Sequence, residues 1–383
     1  MAAFYIHIPY CKQVCFYCDF HFRVAMKDQS AMLKAMLKEM AYRKDYLRLN
    51  GESGKIPIDT LYFGGGTPSL LSIAELSMLL KGVQEFCIPS PTAEITLEAN
   101  PDDLTENYLS ALRNLGFNRL SIGVQSFCDE DLRLMNRRHT AQEAWQAVER
   151  AQRKGFDNIN MDLIYGLPSM NLQRWQHNLD KALALNVPHL SAYHLTIEPQ
   201  TVFGVRQRKG ADFSVAEEDS AAQFELLTDA CEKAGYEHYE ISNFARPGCY
   251  SRHNTAYWRG IPYIGIGPSA HSCNGASRQW NVSNNHRYIA LMDNPETEEW
   301  FEREILSPSE AFNDFILTGL RTQWGVEISQ IREKWSQTIA DTFVHRASGY
   351  IQHEFMKENN GTYTLTRKGK LIADRIASDL FEV

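Results

Sequence analysis

Residues 4–20, FYIHIPYCKQVCFYCDF, run from a short apolar stretch straight into three cysteines, Cys11, Cys15 and Cys18. Phe4 to Ile8 reads as a β-strand, and the cysteines follow in one short loop at its C-terminal end. The spacing C-x3-C-x2-C supplies three thiolates, one fewer than the four ligands that close a structural zinc site or an ordinary cubane cluster. Two readings stay open on the residues alone. In one, His21 completes a Cys3His zinc site. In the other, the cysteines hold an iron–sulfur cluster with one iron left for a ligand that is not protein. Phe16, Tyr17, Phe20 and Phe22 crowd the same loop, and aromatic surroundings that exclude water and tune a potential favour the cluster.

Working outward, the strand is the first of six. Thr60–Phe63, Glu94–Ala99, Arg119–Val124, Asn158–Ile164 and His189–Thr196 read as further strands. Between them come helical patterns: Met32, Leu33, Met36, Leu37 and Met40 on one face, Leu76, Leu79, Leu80 and Val83 on another, then 141–154 and 172–185. The methionines read as packing residues. Six strand–helix units in series predict a parallel sheet with right-handed crossovers, as an open or partial barrel. Ligands then belong at the C-terminal ends of the strands. There the chain places CKQVCFYC, GGGTPS, EANPDD, QSFCDED and YGLPSM.

The expected domain organisation is a barrel over 1–235, an extension over 236–304 of short strands and loops, and a third region over 305–383. In the last, SPSEAFNDFILTGLR has a capping Ser and helical spacing. The stretch from Gly349 reads as strand, Asn-Gly turn, strand and helix, which resembles a winged helix. A formal charge of −8 offers no basic excess for a phosphate backbone, so nucleic acid is not an expected partner. No apolar run reaches the roughly 18 residues of a membrane span, and no leader pattern is evident, so the expected location is the cytoplasm. Eight cysteines in a chain this long do not make a disulfide scaffold; the five outside the loop read as packing residues.

The motifs together resemble a known family. C-x3-C-x2-C after the first strand of a partial (β/α)6 barrel is similar to the radical S-adenosylmethionine (SAM) proteins. YIHIPYCKQVCFYC, YFGGGTPS, LEANPDDL, LSIGVQSF, LMNRRH and MDLIYGLP resemble, in order, the oxygen-independent coproporphyrinogen III oxidase-like group. The resemblance implies an α/β fold, a radical SAM partial (β/α)6 barrel with a small C-terminal winged-helix-like α+β domain. It also implies a [4Fe-4S] cluster on Cys11, Cys15 and Cys18, with SAM on the fourth iron, fed by an electron donor. Gly65, Gly66 and Thr67 then correspond to positions at the methionine end of SAM; Tyr5, Tyr17, Glu98, Gln125, Arg137 and Asp162 correspond to other SAM-contacting positions. The same residues have a plain physical reading: glycines let backbone approach a ligand, and a carboxylate accepts hydrogen bonds from an ammonium or ribose hydroxyls.

Two departures separate the chain from the oxidase. Phe20 stands where that enzyme has a further cysteine, and ten residues precede Cys11 where it has a long covering segment. Both match the heme-chaperone relatives of the group. SRHNTAYWRG, with His253, Asn254, Tyr257 and Trp258, resembles their heme motif, and imidazole is a common axial ligand. On this resemblance His253 is the expected heme ligand. Heme and acceptor hemoproteins, respiratory ones among them, are the expected partners, with peripheral membrane contact left open. No catalytic residue is assigned. The rival readings are a working coproporphyrinogen III dehydrogenase, a radical SAM enzyme on another substrate, and the zinc module.

Overall fold

The computed structural model describes residues 2–48, 54–168 and 170–382; Ser169 of the YGLPSM motif lies outside them. Six strands run parallel in chain order: β1 (Ala3–Ile8), β2 (Ile56–Gly65), β3 (Cys87–Ala99), β4 (Arg119–Gln125), β5 (Asn158–Tyr165) and β6 (His189–His194). The connecting helices are α1 (Gln29–Tyr42), α2 (Ile73–Phe86), α3 (Glu106–Asn114), α4 (Asp129–Leu134), α5 (Ala141–Arg153) and α6 (Leu172–Ala184). α1 buries Met32, Leu33, Met36 and Met40, so the methionines do pack. α2 buries Leu76, Leu79, Leu80 and Val83 behind a Ser72–Glu75 capping box. Sequence periodicity passed over α3, which buries only Leu109 and Leu112, too few positions to mark a helical period. β3 starts at Cys87, ahead of the expected Glu94, because the Pro-containing lead pairs with Ile56–Ile58 across a register shift in β2.

Side-chain parity along these strands divides the sheet into two faces. Ile6, Phe63, Leu97, Ile122, Met161 and Leu190 are fully buried on the helix-packed face. The alternate residues are polar: His7, Tyr62, Glu98, Ser121, Asp162 and Ser191. That polar face is the interior of the open barrel, and it needs hydrogen-bond partners or a ligand to be stable.

After β6, α7 (Val202–Arg208) and α8 (Glu217–Lys233) lead to β7 (Glu237–His238) and β8 (Asn243–Ala245), which extend the β6 edge antiparallel. The chain then returns through α9 (Arg252–Trp258), packed against β2, to the opposite edge. There β9 (Tyr263–Ile266) pairs parallel with β1, and β10 (His271–Cys273), β11 (Ser277–Asn281) and β12 (Phe301–Ile305) continue antiparallel. α10 (Asn285–Leu291) lies between the last two strands in sequence. The sheet thus has twelve strands, with residues 236–304 on both of its edges. Buried Glu39 of α1 ties one edge on: Asn281 Nδ2 donates to it at 2.8 Å, Gly267 N at 2.8 Å, Arg43 Nη1 at 3.0 Å, and Tyr288 through its hydroxyl.

The C-terminal region is α11 (Pro308–Leu320), β13 (Val326–Glu327), α12 (Ile328–Lys334), α13 (Gln337–Gln352), β14 (Met356–Asn359), β15 (Thr362–Leu365), α14 (Arg367–Lys370) and α15 (Ala373–Asp379). Its three strands, ordered β13-β15-β14, and the helix–strand–helix–helix–strand–strand sequence make a winged helix with its own core around Ile316, Phe343 and Ile376. The expected strand from Gly349 begins later, at Met356, since Gly349–Gln352 completes α13. Asn360 and Gly361 both take positive φ, 50° and 81°, as the tight hairpin requires.

Candidate functional site

The cysteine loop leaves β1 and folds over the C-terminal ends of the strands. Phe16 N–H donates to Met135 O at 3.1 Å and Cys11 N–H to Arg23 O at 3.0 Å, which pins the loop at both ends. Cys11, Cys15 and Cys18 are free, half-buried thiols lining one cavity. Donors already point at two sulfurs: Thr67 Oγ1 to Cys11 at 3.3 Å and Arg137 Nη1 to Cys15 at 3.4 Å. Burial pushes the Cys11 thiol up to about 12 and the Cys18 thiol to about 11, and neighbouring sulfurs push the same way. Iron binding would therefore displace protons. His21, the fourth ligand of the zinc reading, is engaged instead with Asn285 Oδ1 through Nε2 at 2.7 Å.

The cavity below the loop has a volume of about 350 Å3. Gly65, at φ 107°, donates its N–H to Glu98 Oε2 at 3.1 Å, while Tyr62 donates to Oε1 at 2.8 Å. A Cβ at Gly66 would stand 2.5 Å from Tyr10 O, so the backbone approach there admits glycine alone. Burial pushes Glu98 up to about 8 against the Tyr62 bond, with Asp162 adding repulsion. Asp162, raised by burial too, accepts from Asn160 Nδ2 at 2.7 Å and Ser121 Oγ at 3.3 Å. Gln125 sits at φ 66°, where β4 slips register against β5. A non-glycine residue there costs roughly 1–3 kcal/mol, a strain typical of ligand sites. Arg137 Nη2 donates to Asn100 Oδ1 and Gly123 O, both at 2.7 Å, yet its buried Nε has no partner among the described residues.

These residues fit the implied cluster and SAM. Three thiols with hydrogen-bond donors at two sulfurs stand beside a glycine cradle, the half-buried carboxylates of Glu98 and Asp162, and an incompletely satisfied guanidinium. The structure brings Cys11, Cys15, Cys18, Tyr17, Gly65, Gly66, Thr67, Glu98, Gln125, Arg137 and Asp162 to one cavity. Tyr5 lies behind Tyr62, their rings 6.1 Å apart, and faces a second cavity. His253 is buried beneath the first, its Nδ1 bonded to Thr60 Oγ1 at 2.8 Å and its Nε2 to Tyr257 Oη at 2.7 Å, and burial lowers it to about 3. From the same helix, Ser251 and Asn254 line the first cavity.

Sequence reasoning missed Tyr62, Asn100, Ser121, Asn160 and Tyr193 in the wall. A signal was present. Ser121, Asn160 and Asp162 recur at alternate positions in otherwise apolar strands, and such a polar parity marks a face that looks onto a ligand or a polar network.

The profile of the Radical SAM superfamily matches residues 5–182, the stretch that carries the cysteine loop and the first five strands, and the fold is of that class. Over 98% of both chains, the protein is 33% identical to "Heme chaperone HemW" of Bacillus subtilis (strain 168). It is 40% identical to the Escherichia coli (strain K12) protein of the same name over 70% of this chain and 69% of that one. The structure superposes on the solved coproporphyrinogen III oxidase (HemN) from Escherichia coli, described as a radical SAM enzyme, with TM-score 0.84 at 25% identity, covering 99% and 90% of the two chains. The chain belongs to the HemW family of radical SAM proteins.

Proposed function

We propose that the chain is a heme chaperone that holds a [4Fe-4S] cluster and SAM, binds heme as cargo and passes it to acceptor hemoproteins. One observation carries the reading: the three-thiol loop caps a polar cavity in a chain collinear, over nearly its full length, with relatives named heme chaperones. When bound, the cluster and SAM supply reductive cleavage of a sulfonium, with electrons from a separate donor. The chain's own residues would orient and protect. Cys11, Cys15 and Cys18 ligate three irons. Gly65, Gly66, Thr67 and Arg137 hold the methionine end, and Glu98 and Asp162 take the ammonium and ribose groups. Tyr17 excludes water, whereas Phe20, expected from the sequence to do the same, stands with most of its surface in solvent.

The H-N-x-x-Y-W segment is the sequence candidate for heme contact. For His253 itself to reach iron, it must give up Thr60 or Tyr257. Likeness to the oxidase structure favours a second reading, coproporphyrinogen III dehydrogenation. Against it, Phe20 occupies the position of that enzyme's further cysteine and is 72% exposed.

Anaerobic reconstitution tests the proposal. It should give about four iron and four sulfide per chain, lost when the three cysteines become Ala, together with saturable heme uptake and transfer to an apo-hemoprotein. Stoichiometric zinc without sulfide sinks the cluster. Rapid SAM-dependent turnover of coproporphyrinogen III restores the oxidase.

A further inference from the structure

A second cavity, about 380 Å3, opens between the cysteine loop and the β1–β9–β10 edge. Tyr5, His7, Phe20, Tyr257, Tyr263 and His271 are among its walls. Phe20 also lines the first cavity, so it stands at the boundary of the two, with most of its ring in solvent. An exposed phenyl ring at the mouth of an aromatic-walled cavity suits a flat apolar ligand that covers it. Tyr257 and Tyr263 stand edge to face, 4.5 Å between centroids.

Three imidazoles border this space, and their hydrogen bonds separate them. His7 is spent, with Nδ1 on Tyr5 Oη at 3.2 Å and Nε2 on His21 O at 2.9 Å. His21 holds Asn285. His271, exposed and stacked on Trp280 at 6.2 Å, makes no side-chain hydrogen bond among the described residues, although its backbone is fixed by pairing with Trp280 of β11. Gly265 makes that placement possible, since a Cβ there would stand 2.2 Å from His271 O. Arg23 lies close enough to His21 to act on it electrostatically, a cation near the cavity wall for an acidic side arm.

We propose that the second cavity seats the porphyrin and that His271 is the residue in it that binds the iron. This rests on the heme reading above and names the site for it. His253 then acts as a positioning residue: it holds Tyr257, part of the cavity wall, from behind through their 2.7 Å bond. The H-N-x-x-Y-W segment therefore contributes to the seat without giving up a buried hydrogen bond. Phe20, shared with the SAM cavity, puts the porphyrin edge beside the cluster loop.

The test is titration of ferric heme into the cluster-reconstituted full chain, read as difference spectra against heme-free protein. The unaltered chain should show an imidazole-bound Soret band. His271→Ala and His271→Gln should lose that band and bind about tenfold or more weakly, with cluster content and SAM binding retained. Added free imidazole should restore the band in His271→Ala. His253→Ala should weaken uptake while keeping the band. Unchanged spectrum and affinity in both His271 variants overturn the assignment while the heme reading stands, as does loss of the band in His253→Ala alone. No heme uptake by the unaltered chain overturns both.

Discussion

Glu98 shows how burial on the polar face becomes a measurable property. Its carboxyl is pushed from 4.5 to about 8, mainly by burial. The folded state therefore holds this proton more tightly than the unfolded chain, and the contribution of Glu98 to folding stability falls as pH rises from about 4.5 to about 8. A cation beside the carboxylate favours the charged form. If SAM places its ammonium there, binding releases a proton, and affinity should climb as pH rises toward about 8 and flatten above it. Calorimetric titration across that range checks this; Glu98→Gln should abolish the climb, whereas Asp162→Ala should weaken SAM at every pH without loss of iron. A pH-independent affinity in the unaltered chain would remove Glu98 from the SAM contacts. At this scale the cysteines and glycines were legible because their chemistry is local. Tyr62 was not, because a tyrosine in a strand carries no signal until its face is known.

Among the elements, the strongest coupling is the tie between α1 and the β9–β11 edge. Glu39 is fully buried and Arg43 nearly so. Burial pushes the Glu39 carboxyl up, and Arg43, Tyr288, Gly267 and Asn281 pull it back. Removing one partner of such a pair leaves an uncompensated buried charge, so Glu39→Ala should cost about 3–5 kcal/mol, read as a lowered urea midpoint. Loss should be smaller in Glu39→Gln, which fills the same volume and keeps one acceptor oxygen, although Asn281 and Gly267 now donate to different oxygens of Glu39 and only one of them keeps its partner. A midpoint unchanged in Glu39→Ala would mean that the edge is held by apolar packing alone. The helices α1, α2, α5 and α6 were readable from period and caps. The strands β7 to β12 were readable only as a class, since two to five residues are too few to show alternation.

For the molecule as a whole, the winged helix meets the barrel through Arg367, which bonds Glu225 at 2.9 Å, Asp229 at 2.6 Å and Glu232 at 2.8 Å along α8. These groups are partly exposed, so salt screens them. Arg367→Ala should lower the melting temperature at low salt, and the difference should shrink at high salt; a salt-independent difference would point to lost packing of the arginine stem instead. Among the described residues no helix is long and apolar enough to cross a membrane.

Six parallel strands, the helices α1, α2, α5 and α6, and the cysteine loop at the strand ends were determined by the chain itself, because hydrophobic period, caps and C-x3-C-x2-C spacing are properties of neighbours in sequence. Tertiary structure alone decided that residues 236–304 divide between the β6 and β1 edges, that His253 hydrogen-bonds Thr60 from 193 positions away, and that His271 and Phe20 line one cavity. Those outcomes depend on which distant surfaces meet and which hydrogen bonds they complete. Sequence spacing encodes a donor's presence; only packing shows whether that donor is already spent.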